Sequence, residues 1–308
     1  MSSQTKRVIA LGFFDGVHLG HAALLRRVTE TAGRLGAVPA AATFDTHPED
    51  VIPGRAHIPL ITSPADRGEL MKRLYGISDV IVAHFDRRMM CMPWRDFVTE
   101  YLVRECGAVH LVAGHDYHFG YKGEGTPRRL EELCAALGLG CDIIPKVELD
   151  GVTVSSTCIR ALLAQGELER ANQFLGHPYC FSGVVAHGKG LGSSLGFPTV
   201  NLSFPAGVMT PAFGVYAARA RFDGRNVMAV VNVGVRPTVD DSGQANAEGF
   251  LLDFHGDLYG RALRLEFYKF LRPERKFPSL EALRGEVMHN AAQTRSYFEE
   301  DPHARDTL

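Results

Sequence analysis

The segment 11–21, Leu-Gly-Phe-Phe-Asp-Gly-Val-His-Leu-Gly-His, constrains the fold of this chain more than any other segment. The apolar run 8–11 before it is typical of a buried strand, and apolar residues recur with helical spacing over 22–28. Glycines allow a backbone to approach a ligand closely, and the start of a helix presents free N–H groups to anions. The sequence therefore predicts a strand, a polyphosphate-binding turn and a helix, with these candidate contacts in the turn: Gly12, Phe13, Asp15, His18 and His21.

His18 and His21 form a His-x-Gly-His pattern at the start of the predicted helix. For an isolated pair, a surface turn with incidental histidines or half of a metal site is the alternative. The strand before the pair and the helix after it favour a phosphate site. In this setting the pattern resembles the signature of the nucleotidyltransferase superfamily, whose members transfer a nucleoside monophosphate from ATP.

The first half of the chain alternates predicted strands and helices. Apolar strands separated by amphipathic helices indicate an open parallel α/β sheet covered on both faces. Ligands of such sheets bind at the carboxyl ends of the strands, where the segments 12–21, 43–48 and 114–120 fall. Further strands are predicted at 38–44, 79–82, 109–113 and 141–145, and helices at 97–104 and 130–137 and from Ser63.

The second half changes to strand-like patterning. Predicted strands lie at 182–187, 215–222, 227–233, 250–254 and 263–271, and a helix from Leu280 to about Phe298 follows them. Sequential strands followed by one helix indicate an antiparallel β-barrel with a C-terminal helix. One helix is predicted over 159–174, so we expect a first domain over 1–176 and a second over 177–308.

Composition excludes several classes of protein. Lys+Arg 33 against Asp+Glu 35 gives a net charge of −2, which lacks the basic excess typical of nucleic-acid binding. No apolar run approaches the about 20 residues that cross a bilayer, and the six cysteines are scattered. We expect a cytoplasmic protein with small-molecule ligands, no nucleic acid and no membrane partner, and a homo-oligomer remains open.

Five further elements are candidates for chemistry. Ser156 and Thr157 precede Arg160 at a predicted helix start, where a hydroxyl either caps the helix or, with the arginine, forms a second phosphate clamp. The loops 114–125 and 187–192 are glycine-spaced, and each is either a plain connection or a ligand loop. Thr199 and Asn201 offer oxygen ligands suited to Mg²⁺, whereas Glu248 at a strand start is either a solvated residue or a catalytic one.

In order and spacing, these elements resemble the bifunctional riboflavin kinase/FAD synthetase family of bacteria from about Val8 to about Phe298. The resemblance implies that the C-terminal module phosphorylates riboflavin with ATP to give FMN. The N-terminal module then transfers AMP from a second ATP to FMN, giving FAD and pyrophosphate. The matching segments are 14–21, 43–48, 114–120, 156–160, 175–179, 187–192, 196–201, 232–238 and 257–260.

The resemblance also implies roles for individual residues. His18, His21 and Arg160 would stabilise charge on the α-phosphate and the pyrophosphate, and Asp116 matches the flavin-loop position. Glu248 would act as the general base of the kinase, with Mg²⁺ as cofactor. The remaining implied contacts are Gly12, Phe13, Asp15, Ser156 and Thr157 in the first module, and Gly188, Lys189, Gly190, Gly192 (ATP phosphates), Thr199 and Asn201 (Mg²⁺) in the kinase.

Four positions depart from the family pattern without removing an assigned group: Thr46, His115, His118 and Cys158. Two alternatives therefore accompany the bifunctional prediction. One is a riboflavin kinase whose first half has lost adenylylation, and the other is a non-catalytic regulator that binds flavin or nucleotide.

Overall fold

The computed structural model describes residues 5–52, 54, 56–187, 199–235 and 245–300. The chain divides into two compact units. The first consists of Met1–Pro59 and Pro64–Ser155, and the second of Leu60–Ser63 and Ser156–Leu308. The domain boundary after residue 176 stays a prediction.

The main sheet of the first unit has five parallel strands in the order β3-β2-β1-β4-β5. The parallel α/β prediction is confirmed. The order reverses between β1 and β4, so ligands are expected at the carboxyl ends of these two strands. The strands are β1 (Arg7–Leu11), β2 (Val38–Phe44), β3 (Asp79–Ala83), β4 (Ala108–Gly114) and β5 (Gly140–Ile144), and a small hairpin of β6 (Glu148–Leu149) and β7 (Val152–Thr153) follows.

Helices cover both faces of this sheet, so residues on both faces of the central strand β1 are buried. Ile9 and Leu11 face one side and belong to one apolar cluster, and Val8 and Ala10, which face the other side, are also fully buried. The helices are α1 (Leu19–Leu35), α2 (Pro64–Tyr75), α3 (Arg87–Met90), α4 (Trp94–Asp96), which runs into a π-helical segment (Phe97–Glu105), and α5 (Pro127–Leu137). Short 3₁₀ turns occupy Asp15–Val17, Pro48–Val51 and Tyr121–Gly123.

The second unit is a six-stranded antiparallel sheet in the order β8-β13-β10-β11-β12-β9. A bridge between Ala186 and Asn201 joins its two edges, so the sheet curls into the predicted barrel. Its elements are α6 (Ser156–Gln165), α7 (Leu168–Leu175), β8 (Tyr179–Val184), β9 (Thr199–Ser203), β10 (Gly214–Phe222), β11 (Arg225–Val235), β12 (Ala245–Leu251), β13 (Ala262–Pro273) and the C-terminal α8 (Leu280–Glu300), which packs on β10 and β11.

Several predicted bounds were wrong. The helix expected over 159–174 is two helices, α6 and α7, because Gly166 adopts a left-handed φ of 81° between them. The strand expected at 250–254 lies earlier, as β12, and β9 was missed. The bounds of β9 and β12 are determined by the pairing of β12 with β9 and β11. The local sequence pattern does not encode this long-range pairing. In the described part of the chain, no helix is long and apolar enough to cross a bilayer.

Candidate active sites

The turn between β1 and α1 has a tightly wound backbone. Phe14, Gly16 and Val17 all have positive φ, at 58°, 76° and 43°. This region suits glycine but is strained for a β-branched residue such as Val17. The surrounding fold therefore holds the turn in a conformation that its own residues would not choose. Strain of this kind is typical of ligand sites.

His18 and His21 lie together at the end of this turn. His18 is the N-cap of α1, and its Nδ1 accepts a hydrogen bond from the backbone N–H of His21 at 3.3 Å. The two rings stack with centroids 3.6 Å apart. A Cβ on Gly20 would lie 3.0 Å from Cε1 of His18, so glycine relieves a tight contact with this ring. The predicted imidazole pair is therefore assembled in the folded chain.

The imidazole of His21 is held in its neutral form. Burial lowers its pKa well below the usual value, and the nearby charges of His18 and Arg67 lower this pKa further. Its buried Nδ1 has no hydrogen-bond partner among the described residues. A neutral ring with an unpaired polar atom can bind a ligand without first giving up another contact.

A cavity of about 740 Å³ opens beside this turn. Gly12 and Phe13 from the end of β1, Phe44 from the end of β2 and the segment 117–123 after β4 contribute to its wall. The size and the mostly apolar lining are typical of a small-molecule site. The lining also includes residues for which the sequence analysis proposed no role: His47, Glu49, Phe85, Met89, Met90 and Phe97.

The loop after β4 contributes differently from its predicted role. The side chain of Asp116 is 80% exposed and lies 3.8 Å from Nδ1 of His115, and it is absent from the cavity wall. Tyr117 and His118 do line the cavity. The Tyr117 ring stacks on Phe119 at 5.4 Å, and burial raises the pKa of its phenol. A flavin role for Asp116 stays a prediction.

The second predicted phosphate clamp begins the second unit. Ser156 and Thr157 form the first turn of α6, and Nη2 of Arg160 lies 3.5 Å from Oγ1 of Thr157. This distance is at the limit of a hydrogen bond. The participation of these residues in adenylyl transfer stays a prediction.

Three predicted kinase residues lie together in the second unit. Glu248 of β12 is directly opposite Asn201 of β9, and Oγ1 of Thr199 donates a hydrogen bond to Oε1 of Glu248 at 2.7 Å. Asn201 is buried, and its Oδ1 accepts from Nδ2 of Asn246 at 3.1 Å. Because Thr199 and Asn201 are two residues apart on one strand, both project to the side that Glu248 occupies.

Further residues extend this polar row. Asn232 of β11 lies opposite Glu248 on its other side, and Nδ2 of Asn232 donates to Oε1 of Glu274 at 3.0 Å. Thr199 also lines a cavity of about 220 Å³ with Asp257 and its neighbours. The predicted phosphate loop with Gly188, Lys189, Gly190 and Gly192 lies outside the described residues.

Comparison with known proteins covers both units. A family model described as FAD synthetase matches residues 1–158, and one described as riboflavin kinase matches residues 175–298. A bifunctional riboflavin kinase/FMN adenylyltransferase of Listeria monocytogenes is 36% identical over 293 residues, covering 95% of this chain and 92% of the relative. The Bacillus subtilis protein of the same description is 34% identical over 299 residues, covering 96% and 93%.

A solved structure resembles the whole chain. It is the crystal structure of a Streptococcus pneumoniae protein described as a macrolide-efflux protein. That protein is 28% identical to this chain, with a TM-score of 0.83, and the match covers 96% of this chain and 95% of the other. Both units therefore have counterparts in one known polypeptide.

Proposed function

Because the chain belongs to the bifunctional riboflavin kinase/FMN adenylyltransferase family, we propose which of its residues carry the two activities of that family. The protein phosphorylates riboflavin with ATP to give FMN, and it transfers AMP from ATP to FMN to give FAD and pyrophosphate. The observation that carries this function is that both family models match, one in each half of the chain. Neither a kinase with an inactive first half nor a non-catalytic regulator finds support in these matches.

The adenylyltransferase needs no protein nucleophile. A phosphate oxygen of FMN attacks the α-phosphorus of ATP, the new phosphoanhydride bond forms, and the bond to the β-phosphate breaks as pyrophosphate leaves. His18 and His21 stabilise the charge that develops on the α-phosphate. The stacked imidazoles and the unpaired Nδ1 of His21 support this assignment. A role of Arg160, Ser156 and Thr157 as further phosphate donors is implied by the family resemblance alone.

The flavin ring occupies the cavity beside the turn. An isoalloxazine is flat and conjugated, and the aromatic rings of Phe13, Phe44 and Phe85 in the cavity wall suit it. The cavity borders Gly12 and Phe13, the first residues after β1. A flavin bound there has its phosphate side near the ATP-binding turn, as direct attack requires.

In the kinase, Glu248 acts as the general base. Its carboxylate accepts the proton of the terminal ribityl hydroxyl as that oxygen attacks the γ-phosphorus of ATP, and ADP leaves. The hydrogen bond from Thr199 holds this carboxylate in place. The loop with Gly188, Lys189, Gly190 and Gly192 would hold the phosphates.

Mg²⁺ fits the donor set of the kinase row. Hard divalent cations bind oxygen ligands, and the row presents the Thr199 hydroxyl and the Asn201 amide oxygen beside the Glu248 carboxylate. Thr199 and Asn201 would hold the ion, which, when bound, neutralises charge on the transferred phosphoryl group. A dense protein cage is unnecessary because substrate phosphates supply ligands to Mg²⁺. Among the described residues, no group of three or more His, Cys, Asp or Glu side chains is placed to hold a metal ion.

The remaining assignments concern the setting of the enzyme. None of the six cysteines, all of which are described residues, forms a disulfide, which supports a reducing, cytoplasmic location. The balanced charge supports small-molecule ligands rather than nucleic acid. A homo-oligomer stays a prediction.

The test is a product assay on the purified full chain. Riboflavin, ATP and Mg²⁺ are supplied, and the flavins are separated at intervals. We expect FMN first and then FAD. FMN without FAD would contradict the adenylyltransferase assignment, and unchanged riboflavin would contradict the kinase assignment. Omission of Mg²⁺ should stop FMN formation.

A further inference from the structure

Arg67, near the start of α2, is a completely buried arginine. Its Nη1 donates three hydrogen bonds: to the carbonyl oxygen of Phe13 at 2.8 Å, to the carbonyl oxygen of Phe44 at 3.0 Å, and to Oγ1 of Thr43 at 2.9 Å. Thr43 in turn donates to the same Phe13 oxygen at 2.8 Å. Arg67 thus ties the ends of β1 and β2 together where the ligand turn begins.

The guanidinium of Arg67 also contacts the ring of Phe13. Its Cζ lies 4.2 Å from the ring centroid, a cation–π geometry. The ring meets His47 edge-on at 4.8 Å and lines the large cavity. Arg67 therefore holds both the backbone and the side chain of Phe13, the residue at which the ATP-binding turn and the flavin cavity meet.

Arg67 places a positive charge beneath this turn. Burial lowers its pKa to about 10, and the nearby Asp15 carboxylate opposes that shift, so the guanidinium is protonated at neutral pH. Its Nε and Nη2 donate to no acceptor among the described residues. The positive charge of Arg67 also lowers the pKa of His21. A buried cation is costly, and this cost is offset most fully when an anion binds nearby.

We propose that Arg67 is a positioning residue for adenylyl transfer: it fixes the Phe13 turn and supplies a permanent positive charge beneath the imidazole pair. This rests on the adenylyltransferase function proposed for the first unit. A purely structural role makes a different prediction. It predicts a lower unfolding temperature with normal turnover of the folded protein, because buried acceptors on Phe13, Thr43 and Phe44 lose their donor. Loss of kcat at a temperature where the variant is fully folded would therefore reveal positioning.

The experiment compares Arg67→Met, Arg67→Lys and the control Lys72→Met in the full chain. Lys72 lies on the same helix and is exposed, so its substitution removes a charge without touching the turn. FAD formation from supplied FMN and ATP, FMN formation from riboflavin, and thermal unfolding are measured for each. Kinase activity serves as the internal control for folding of the second unit.

We expect Arg67→Met to lower kcat for FAD formation about 30-fold, below the about 100-fold loss typical of removing a donor that contacts the transition state directly. Its unfolding temperature should fall, because the carbonyl oxygens of Phe13 and Phe44 lose a buried donor, so kcat is measured where the variant is fully folded. On a logarithmic scale, Arg67→Lys should recover at least half of the kcat that Arg67→Met loses. A lysine ammonium keeps the charge, and its three N–H groups can donate to the three acceptors of Nη1. Lys72→Met should resemble the wild type, and FMN formation should be unchanged throughout.

Wild-type rates of FAD formation in Arg67→Met would overturn the proposal. If Arg67→Met fails to fold, Arg67→Lys decides: a folded, active lysine variant supports the proposal, and a folded, inactive one overturns it. Wild-type protein that makes FMN but no FAD would instead overturn the function proposed for the first unit, and the role of Arg67 with it. The failures of the two claims are thus distinguishable.

Discussion

The two units assemble their candidate sites from different parts of their folds. In the first, the turn after a parallel strand brings backbone, imidazoles and a helix start together, and a buried arginine supports the turn. In the second, side chains on neighbouring antiparallel strands meet through cross-strand register, as Thr199 and Glu248 do.

This difference follows from the geometry of the two sheets. Parallel strands end at a common edge, where successive loops and helix starts converge. Antiparallel strands instead present rows of side chains on a face, so a site can form in the middle of a sheet. The comparison predicts that a substitution in one site abolishes the reaction of that unit and leaves the reaction of the other unit intact.

The largest expected effect is loss of the kinase base. Glu248→Ala should lower FMN formation by about 10²–10⁴-fold, the usual contribution of a positioned proton acceptor. Conversion of supplied FMN to FAD should continue. Flavin separation after incubation with each substrate measures both rates.

Glu248→Gln is the matched variant because its amide oxygen can still accept the hydrogen bond of Thr199. It should be as inactive as Glu248→Ala if proton acceptance matters. A glutamine variant with normal kinase activity would contradict the general-base role.

His21→Ala should produce the opposite result. Removing a donor to developing charge lowers kcat by about 10²–10³-fold, so FAD formation should fall while FMN formation continues. The exposed His57, ion-paired with Asp50 in the same unit, provides the control His57→Ala. If one of the active-site variants, His21→Ala or Glu248→Ala, silenced both reactions in folded protein, the separation of the two sites would be wrong.

Removing an aromatic side chain from the cavity of the first unit should weaken the binding of FMN. Phe85→Ala removes an aromatic wall, and we expect the KM for FMN in FAD formation to rise about tenfold, equivalent to about 1.4 kcal/mol. The KM for ATP should change little. Val82→Ala, on the strand that precedes Phe85 but outside the cavity wall, is the control. An unchanged KM for FMN would place the flavin elsewhere.

The smallest effect concerns pH and stability. The lowered pKa of His21 means that below about pH 6.5 the unfolded chain binds a proton that the folded unit does not. Stability is therefore lost as pH falls, and the unfolding temperature should drop about 2–4 °C more between pH 7.5 and 5.5 in the wild type than in His21→Asn.

His84 provides a control of opposite sign. Its hydrogen bond with Asp45 raises the pKa of its imidazole, so its contribution to stability is present at low pH and lost as pH rises. His84→Asn should therefore make the acid-side loss larger. If both histidine variants changed the pH dependence in the same direction, the opposed pKa shifts would be wrong.

The local features of the fold were predictable because short-range pattern encodes them. Apolar periodicity correctly predicted the parallel sheet, the barrel and α8, and the glycine-histidine segment correctly predicted a turn before α1. Strand β9 was missed because its residues Thr199 and Asn201 were interpreted as ligands, and its position is determined by pairing with β12. The split at Gly166 was missed because the apolar spacing continues across it.

The candidate sites divide in the same way. Sequence alone identified the imidazole pair, the carboxylate and the hydroxyl–amide pair, since each belongs to a compact motif. The cavity residues Phe85 and Met89 follow β3, and no motif links them to the turn after β1. Arg67 belongs to no motif in the sequence, because its burial depends on acceptors 23 to 54 residues away.

The order of residues along the chain by itself determined the fold class and the family, because backbone propensity and motif spacing act over a few residues. Tertiary structure alone decided that His21 is neutral, that Thr199 meets Glu248 and that a buried guanidinium lies beneath the turn. Burial and long-range contacts determine pKa values and side-chain partners, and both arise only when distant segments of the chain pack together.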